Sequence, residues 1–364
     1  MKILVATLNW GLGHTTRSVP LIDSFLNEGC EVILASDGRA GELLKSEFPK
    51  LQYFDLPSYG VNYNGSNFTR TILRQALRIN RAIKEEKRVI ETLVKENTLN
   101  VILSDNRFGC YNTTARSIFL SHQVNIITPS TWSNKIANHL NQKYIANFDE
   151  VWIPDFEKSP GMANELSHNH SFDSKYLGIL SRMKWYPSSL LYDICIVLSG
   201  PEPKRTDLEE ELIRQALQME DKRIIIIQGK TDEPVTIRSI KTNLKIVSSM
   251  TTQRLNNVLL QSDLVVSRSG YSTIMDLYQL KKRALLIPTK GQTEQEYIAN
   301  SLKKRAKCEI QYEGEINLRK AFNERHKYLG FIDINENRDL TLFVRQWMDN
   351  ANHQSPNLSS NSLV

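Results

Sequence analysis

Residues 9–17, Asn-Trp-Gly-Leu-Gly-His-Thr-Thr-Arg, follow the apolar run Ile3-Leu4-Val5-Ala6 with almost no gap. Gly11 and Gly13 free the backbone for a sharp turn at the carboxyl end of a strand, where open α/β sheets hold their ligands. His14 then stands at the mouth of a helix, facing a cleft. Imidazole changes charge near neutrality, which makes His14 a candidate general base; its bland alternative is a helix cap or a surface residue. Asp105, at the end of Val-Ile-Leu-Ser-Asp, is the rival base, with capping of the segment after Asn106-Arg107 as its bland alternative. A dinucleotide reading also exists, since Gly11 and Gly13 match two glycines of GxGxxG and Asp37 lies about twenty residues on. Thr16 in place of the third glycine and the bulk of His14 count against it.

Three loops in the second half carry complementary chemistry. In residues 199–206, Gly200 frees the backbone, Lys204 and Arg205 supply positive charge, and Thr206 with Glu209 has the spacing of a capping box. Cations at a helix N-terminus suit a diphosphate. In residues 267–277, Ser269, Gly270, Ser272 and Thr273 offer hydroxyls and N–H groups at another helix start. Asp276, one turn in, has a carboxylate able to accept both hydroxyls of a ribose. In residues 288–300, Gln295 and Glu296 sit early in a helix, within reach of sugar hydroxyls. Each loop alone also fits an ordinary turn with a wet helical face.

The elements that position these loops alternate between short β-branched runs and helical periods, the mark of βαβ units and a parallel sheet. Strands are expected at 2–7, 31–36, 51–56, 100–105 and 124–129, with helices at 15–28, 39–47, 67–97 and 112–121. The pattern restarts after residue 178, with strands at 192–200, in Arg-Ile-Ile-Ile-Ile-Gln-Gly, in Asn-Leu-Lys-Ile-Val-Ser-Ser, in Asp-Leu-Val-Val-Ser and in Arg-Ala-Leu-Leu-Ile-Pro. Helices are expected at 206–218, 252–261, 272–281 and 293–304. This is an α/β chain of two tandem, doubly wound, Rossmann-like domains facing a cleft, 1–175 and 176–335. A helix within 336–351 packs back on the first domain, and 352–364 is a flexible tail. The irregular stretch 155–190, with the His168-Asn-His170 cluster, is expected to hold the linker.

The 364 residues, 40% of them hydrophobic, favour two domains with real cores and exclude wholesale disorder. The net charge of +6 fits solvated lysines or attraction to an anionic partner. Cys30, Cys110, Cys195 and Cys308 are far apart with no CxxC, which argues against a zinc site or a disulfide framework and fits a reducing cytoplasm. No signal peptide is read at the N-terminus, and no apolar stretch is long enough to span a bilayer. Basic residues are not interleaved with aromatic platforms, so nucleic acid is not an expected partner.

Arg268-Ser269-Gly270, Thr273 and Asp276, followed by Pro288 and the pair Gln295-Glu296, resemble the donor half of the GT-B glycosyltransferases related to MurG and to the monogalactosyldiacylglycerol synthases, with a family 28 type C-terminal domain. The resemblance is specific over about 260–300. It implies a UDP-sugar in the second domain, with Asp276 on the ribose where the family has a glutamate. Ser269, Gly270 and Thr273 would face the diphosphate, with Arg268, Gly200 and Arg205 also counted among the donor-binding residues. Gln295 and Glu296 would face the sugar, and Met250 with Ser249 would frame the uracil. The family's GGTGGH loop corresponds to residues 9–14, of which only Gly13-His14 survives. The family's EQN segment has no clear match in residues 128–135, where Asn134 stays an acceptor-side candidate with Gly11 and Gly13.

The implied reaction is inverting transfer of a hexose, of N-acetylglucosamine type, to an acceptor hydroxyl on a lipid-linked or cell-envelope glycan. No metal and no cofactor are expected beyond the UDP-sugar co-substrate. The rivals are a UDP-N-acetylglucosamine 2-epimerase and a non-catalytic sugar-nucleotide-binding protein. In residues 68–88, Arg70, Arg74, Arg78, Arg81 and Arg88 share one helical face, with Ile72, Ala76, Ile79 and Ile83 on another. That pattern suits an anionic membrane surface, at the inner face of the membrane, or a helix packed on its own domain with its charges outward.

Overall fold

The computed structural model describes residues 1–60, 68–128, 130–230, 234–332 and 338–353. Two seven-stranded sheets account for the alternating pattern. The first contains β1 (Lys2–Thr7), β2 (Glu31–Ser36), β3 (Gln52–Asp55), β4 (Val101–Asp105), β5 (Arg116–Leu120), β6 (Glu150–Ile153) and β7 (Ser174–Tyr176). These strands are all parallel, in the order 3-2-1-4-5-6-7. Its helices are α1 (Leu12–Asn27), α2 (Gly38–Glu47), α3 (Phe68–Asn97) and α4 (Thr131–Ile145).

The second sheet contains β8 (Tyr192–Val197), β9 (Ile224–Ile227), β10 (Ile237–Lys241), β11 (Leu244–Val247), β12 (Ser262–Ser267), β13 (Arg283–Leu286) and β14 (Glu309–Ile310). The order is 10-11-9-8-12-13-14, and the edge strand β10 runs antiparallel to β11. Its helices are α5 (Lys204–Leu217), α6 (Thr252–Leu260), α7 (Tyr271–Gln279), α8 (Thr293–Lys304) and α9 (Leu318–Glu324), with α10 (Leu340–His353) last. The chain is therefore two α/β domains. In each, the strand order reverses beside the first strand, between β1 and β4 and between β8 and β12. The loops that leave those strands are the ones with candidate chemistry.

Burial on both faces explains the unbroken apolar strands: Ile224 to Ile227 are all buried, as parallel sheets under helices require. α10 crosses back to the first domain and packs on α1. Its Trp347 lies edge-on to Trp152, with ring centroids 5.2 Å apart, and donates its indole N–H to Glu150 at 3.0 Å. Burial of a ring this size contributes about 3 kcal/mol.

Three expectations are corrected. Residues 112–121 are not a helix: Arg116–Leu120 is β5, a short, largely buried run whose periodicity carries no signal. Residues 124–129 are not a strand over the described positions, because asparagines from α4 take the backbone bonds that a neighbouring strand would take. Asn141 Nδ2 donates to Val124 O at 3.0 Å, Asn138 bonds both Ile126 N–H (2.7 Å) and Ile126 O (2.8 Å), and Asn134 Oδ1 accepts from Thr128 N–H at 3.1 Å. The early part of 155–190 is not a linker. Buried Asp155 gathers the N–H groups of Phe156, Met162 and Ala163 with the Ser167 hydroxyl, and β7 then joins the first sheet. His168 and His170 belong to this packing, bonded to Ser167 and Tyr176.

The side chains of Arg70, Ile72, Arg74 and Ala76 lie outside the described residues, as does the tail from residue 354. Arg78, Arg81 and Arg88 are exposed while Ile83 is buried. All four cysteines are buried thiols. No described helix is long and apolar enough to cross a membrane.

Candidate active site

β1 and β4 lie side by side with Thr7 opposite Asp105, and Leu8 N–H continues the pairing to Asp105 O at 3.1 Å. The chain then turns through Gly11, whose φ of 98° lies in the region only glycine adopts freely, and enters α1. This places the first turn of α1 over the end of β4. His14 Nδ1 lies 2.7 Å from Asp105 Oδ1, although the residues are 91 apart in sequence. Arg17, one helical turn on, donates Nε–H to Asp105 Oδ2 at 2.7 Å and an Nη2–H to Oδ1.

Asp105 is fully buried. Burial pushes its pKa up, but Arg17 and His14 outweigh burial and bring it down to about 2. A carboxylate accepts, so His14 donates Nδ1–H to it. Arg17 Nη2, 2.9 Å from the same nitrogen, shares that oxygen and not the ring lone pair. The lone pair of His14 is then at Nε2, on a side chain 15% exposed. The two candidate bases are thus bonded to each other, with Asp105 orienting the His14 ring.

The second domain meets this cluster directly. Ser272 on α7 donates its hydroxyl to Gly13 O at 2.9 Å. A Cβ on Gly13 would lie 2.7 Å from that hydroxyl, so the second glycine serves close approach between domains. Tyr271 donates to Pro154 O at 2.6 Å, and its ring lies flat on His122, with centroids 3.9 Å apart and planes 4° from parallel. His122 Nε2 is 2.8 Å from Glu294 Oε1 at the start of α8.

Around the donor loops the candidates divide. Gly270 caps α7 without a side-chain bond, so the N–H groups of its first turn stay open, with Thr273 among them. Ser269 donates its hydroxyl to Gln295 O at 3.0 Å, joining the α7 and α8 loops. Asp276 accepts from the Ser181 hydroxyl. Burial raises its pKa to about 6 against that bond and the charge of Arg182. Met250 is half-buried in the loop after β11, and Gly200 is exposed with φ of 110°.

Other candidates are engaged elsewhere. Arg205 is buried between Glu202 (Nε–Oε1, 2.6 Å) and Glu209 (Nη1–Oε2, 2.7 Å), so its charge is already matched. The expected capping box is not formed: Thr206 bonds Glu202 through both N–H and hydroxyl, while Glu209 takes Arg205 and Gln228. Arg268 is buried against Glu313 and donates to Lys204 O at 3.1 Å, tying two loops together behind the cleft. Gln295 Oε1 accepts from Thr289 N–H at 3.0 Å and Glu296 Oε1 from Gly291 N–H at 2.9 Å, so both brace the turn before α8. Asn134 holds the 124–128 loop. Asp37 is paired with Arg107 at 2.7 Å, which removes the acid that a dinucleotide ribose needs.

Arg17, His122 and Glu294 are the site residues that sequence reasoning missed. Arg17 had a signal, one turn from His14 on the same helical face. Glu294 adjoins Gln295-Glu296, one residue outside the chosen pair. His122 has no motif around it.

Residues 205–325 match the family described as the glycosyltransferase family 28 C-terminal domain. A glycosyltransferase of Methanosarcina acetivorans is 23% identical over 319 residues, covering 81% of this chain and 82% of the relative. The UDP-N-acetylglucosamine–N-acetylmuramyl-(pentapeptide) pyrophosphoryl-undecaprenol N-acetylglucosamine transferase of Lachnospira eligens is 22% identical over 369 residues, covering 93% and 96%. Among solved structures, MurG of Acinetobacter baumannii superposes with a TM-score of 0.60 at 14% identity, covering 96% and 99%; at that identity the likeness is one of fold.

Proposed function

From the premise that this chain is a GT-B glycosyltransferase of the MurG-like kind, with a family 28 type C-terminal domain, we propose that it transfers a hexose of N-acetylglucosamine type from a UDP-sugar to an acceptor hydroxyl on a lipid-linked or cell-envelope glycan. The observation that carries the reading is His14, backed by Asp105 and set against the start of α7 across the Ser272–Gly13 contact. The acceptor hydroxyl loses its proton to His14 Nε2 as its oxygen bonds the anomeric carbon. The bond from that carbon to the diphosphate breaks, and its electron pair leaves with UDP. Attack opposite the leaving group inverts the anomeric centre. Asp105 keeps the imidazole in the correct tautomer and stabilises the imidazolium that forms.

The leaving diphosphate gathers negative charge. Open N–H groups at the start of α7 and the helix dipole meet it, so the reaction needs no metal. Asp276 takes the ribose hydroxyls once ionised, which its raised pKa allows above about 6. Calorimetric titration of UDP into wild type and Asp276→Ala tests the donor site. Binding to wild type that disappears in the variant is the expected result; equal binding by both would remove the nucleotide from α7.

The protein works at the inner face of a membrane in this reading. Trp132 is 75% exposed and shares a face of α4 with Ile136 and Leu140, also exposed, while Arg78 and Arg81 are exposed on α3. Both helices pack on one cluster through Ile79, Ile83 and Tyr144. Sedimentation with anionic vesicles should be lost in a variant combining Trp132→Asp, Arg78→Glu and Arg81→Glu. Undiminished sedimentation of the variant would move membrane contact off this face, and a wild type that does not sediment would place the acceptor in solution.

A further inference from the structure

His122 sits in the seam between the domains, buried, with α7 and α8 of the second domain on one side and α1 of the first on the other. An arginine only donates, so Arg17 Nη1–H, 2.9 Å away, makes His122 Nδ1 an acceptor. The proton of this imidazole is then on Nε2, where Glu294 receives it at 2.8 Å. Burial lowers the pKa of His122 against the pull of Glu294, which keeps the ring neutral. Arg17 in turn grips Asp105, and Asp105 holds Nδ1–H of His14. A continuous chain of polar contacts thus runs from the start of α8 to the base of the other domain, joining residues 172 positions apart at its first link.

We propose that Glu294 and His122 are positioning residues. They form a clasp through which approach of the second domain sets the orientation and charge balance of His14. The proposal rests on the reading of His14 as the base. Two physical consequences of the clasp support it. Docked Glu294 accepts the Nε2 proton of His122 and so holds the ring in place, which keeps Arg17 in the fork that orients Asp105. Docking also brings a second carboxylate to Arg17 and Asp105, so a proton taken by His14 leaves the cluster neutral and not cationic. With the domains apart, both effects are absent, and the base is poised only when the donor-bearing domain is in place.

The test uses full-length protein with ¹⁵N-labelled histidine and needs neither donor sugar nor acceptor. The His14 ring signals, assigned with His14→Gln, are compared among wild type, Glu294→Ala, Glu294→Gln, His122→Phe and the double variant of Glu294→Ala with His122→Phe. Thr252→Val is the control, since it removes a different bond between domains, Thr252 Oγ1 to Glu47 at 2.9 Å. Glu294→Ala and His122→Phe should each displace the His14 signals, and the double variant should displace them no further. Glu294→Gln should restore part of the wild-type position, because its amide oxygen still accepts the bond without the charge. Thr252→Val should leave the signals in place. His14 signals in Glu294→Ala that overlay wild type, or an equal displacement by Thr252→Val, would overturn the clasp. Glu294 is 35% exposed, so its variants carry the test even where the buried His122→Phe fails to fold. UDP titrated into the same samples scores the donor site separately: no binding sinks that reading and leaves the clasp result standing.

Discussion

The first domain buries two arginines at the carboxyl edge of its sheet, Arg17 on α1 and Arg107 just after β4. Arg107 forms a closed centre. It pairs with Glu86 and with Asp37 (2.7 Å) and donates to Thr7 O (3.1 Å) and Pro57 O (2.6 Å). Glu86 is completed by the Tyr59 hydroxyl and Gly109 N–H. All of these partners belong to one domain. Arg17 has the same burial and a paired carboxylate, but its network is open at both ends. One end is the Nε2 edge of His14, on a partly buried side chain, and the other is Glu294, in the second domain. A closed centre locks loops in place. An open one can pass a proton to a substrate and register the position of a neighbour.

The contrast breaks first at His14. His14→Ala should lower transfer, followed as UDP release with an acceptor, by about 10²–10⁴-fold. UDP affinity should stay at the wild-type value, and stability should fall only by the hydrogen bond lost at Asp105, about 1 kcal/mol. Loss of UDP binding instead would make His14 a donor ligand and not a base.

Arg107→Met probes the closed centre. It leaves Glu86 and Asp37 buried without their partner and should cost about 3–5 kcal/mol in denaturant unfolding. A variant as stable as wild type would mean that these carboxylates relax toward solvent.

Two carboxylates sharpen the comparison through pH. Asp105 is held at about 2, below the usual carboxylate value of 3.8. Its stabilisation, about 2 kcal/mol, is present above 3.8 and lost as pH falls toward 2. Asp276 is shifted the other way, to about 6. The folded state holds its proton more tightly than the unfolded one, so that contribution is present below 3.8 and lost as pH rises through 6. Unfolding measured across pH should show Asp105→Asn losing the acid limb and Asp276→Asn gaining stability above pH 6. If both variants respond with the same sign, one of the two environments is misassigned.

Gly13→Ala gives the smallest change. It displaces the Ser272 hydroxyl and forfeits a hydrogen bond of about 1 kcal/mol between the domains. Alanine in the first turn of α1 returns about as much through backbone entropy. Global melts should therefore match wild type while solution scattering reports a more open protein. A melt shifted strongly downward would mean a clash with the backbone.

Much of this was legible in the sequence, because it is local. Alternating strand and helix signals named two α/β domains. Glycines after β1 and β12 marked the loops that leave the reversal points, and the Arg-Ser-Gly loop with Asp276 falls within the stretch that matches the family 28 C-terminal domain. Short buried elements were not legible. β5 lacks a periodic pattern, and the asparagines of α4 replace a strand between residues 124 and 128 by side-chain bonding that no propensity encodes.

Residue types and spacings along the chain determined which side chains could do chemistry, since a turn, a strand end and a helix start depend on near neighbours. Tertiary structure alone decided which of them are available. Arg205 and Arg268 carry the charge a diphosphate would attract, yet Glu202, Glu209 and Glu313 have taken it. His14 and Asp105 read as rivals in sequence and stand 2.7 Å apart in space. The reason is that charge pairing and hydrogen bonding act over a few ångströms, and only the parallel register of β1 with β4 and the docking of two domains bring such distant residues within that range.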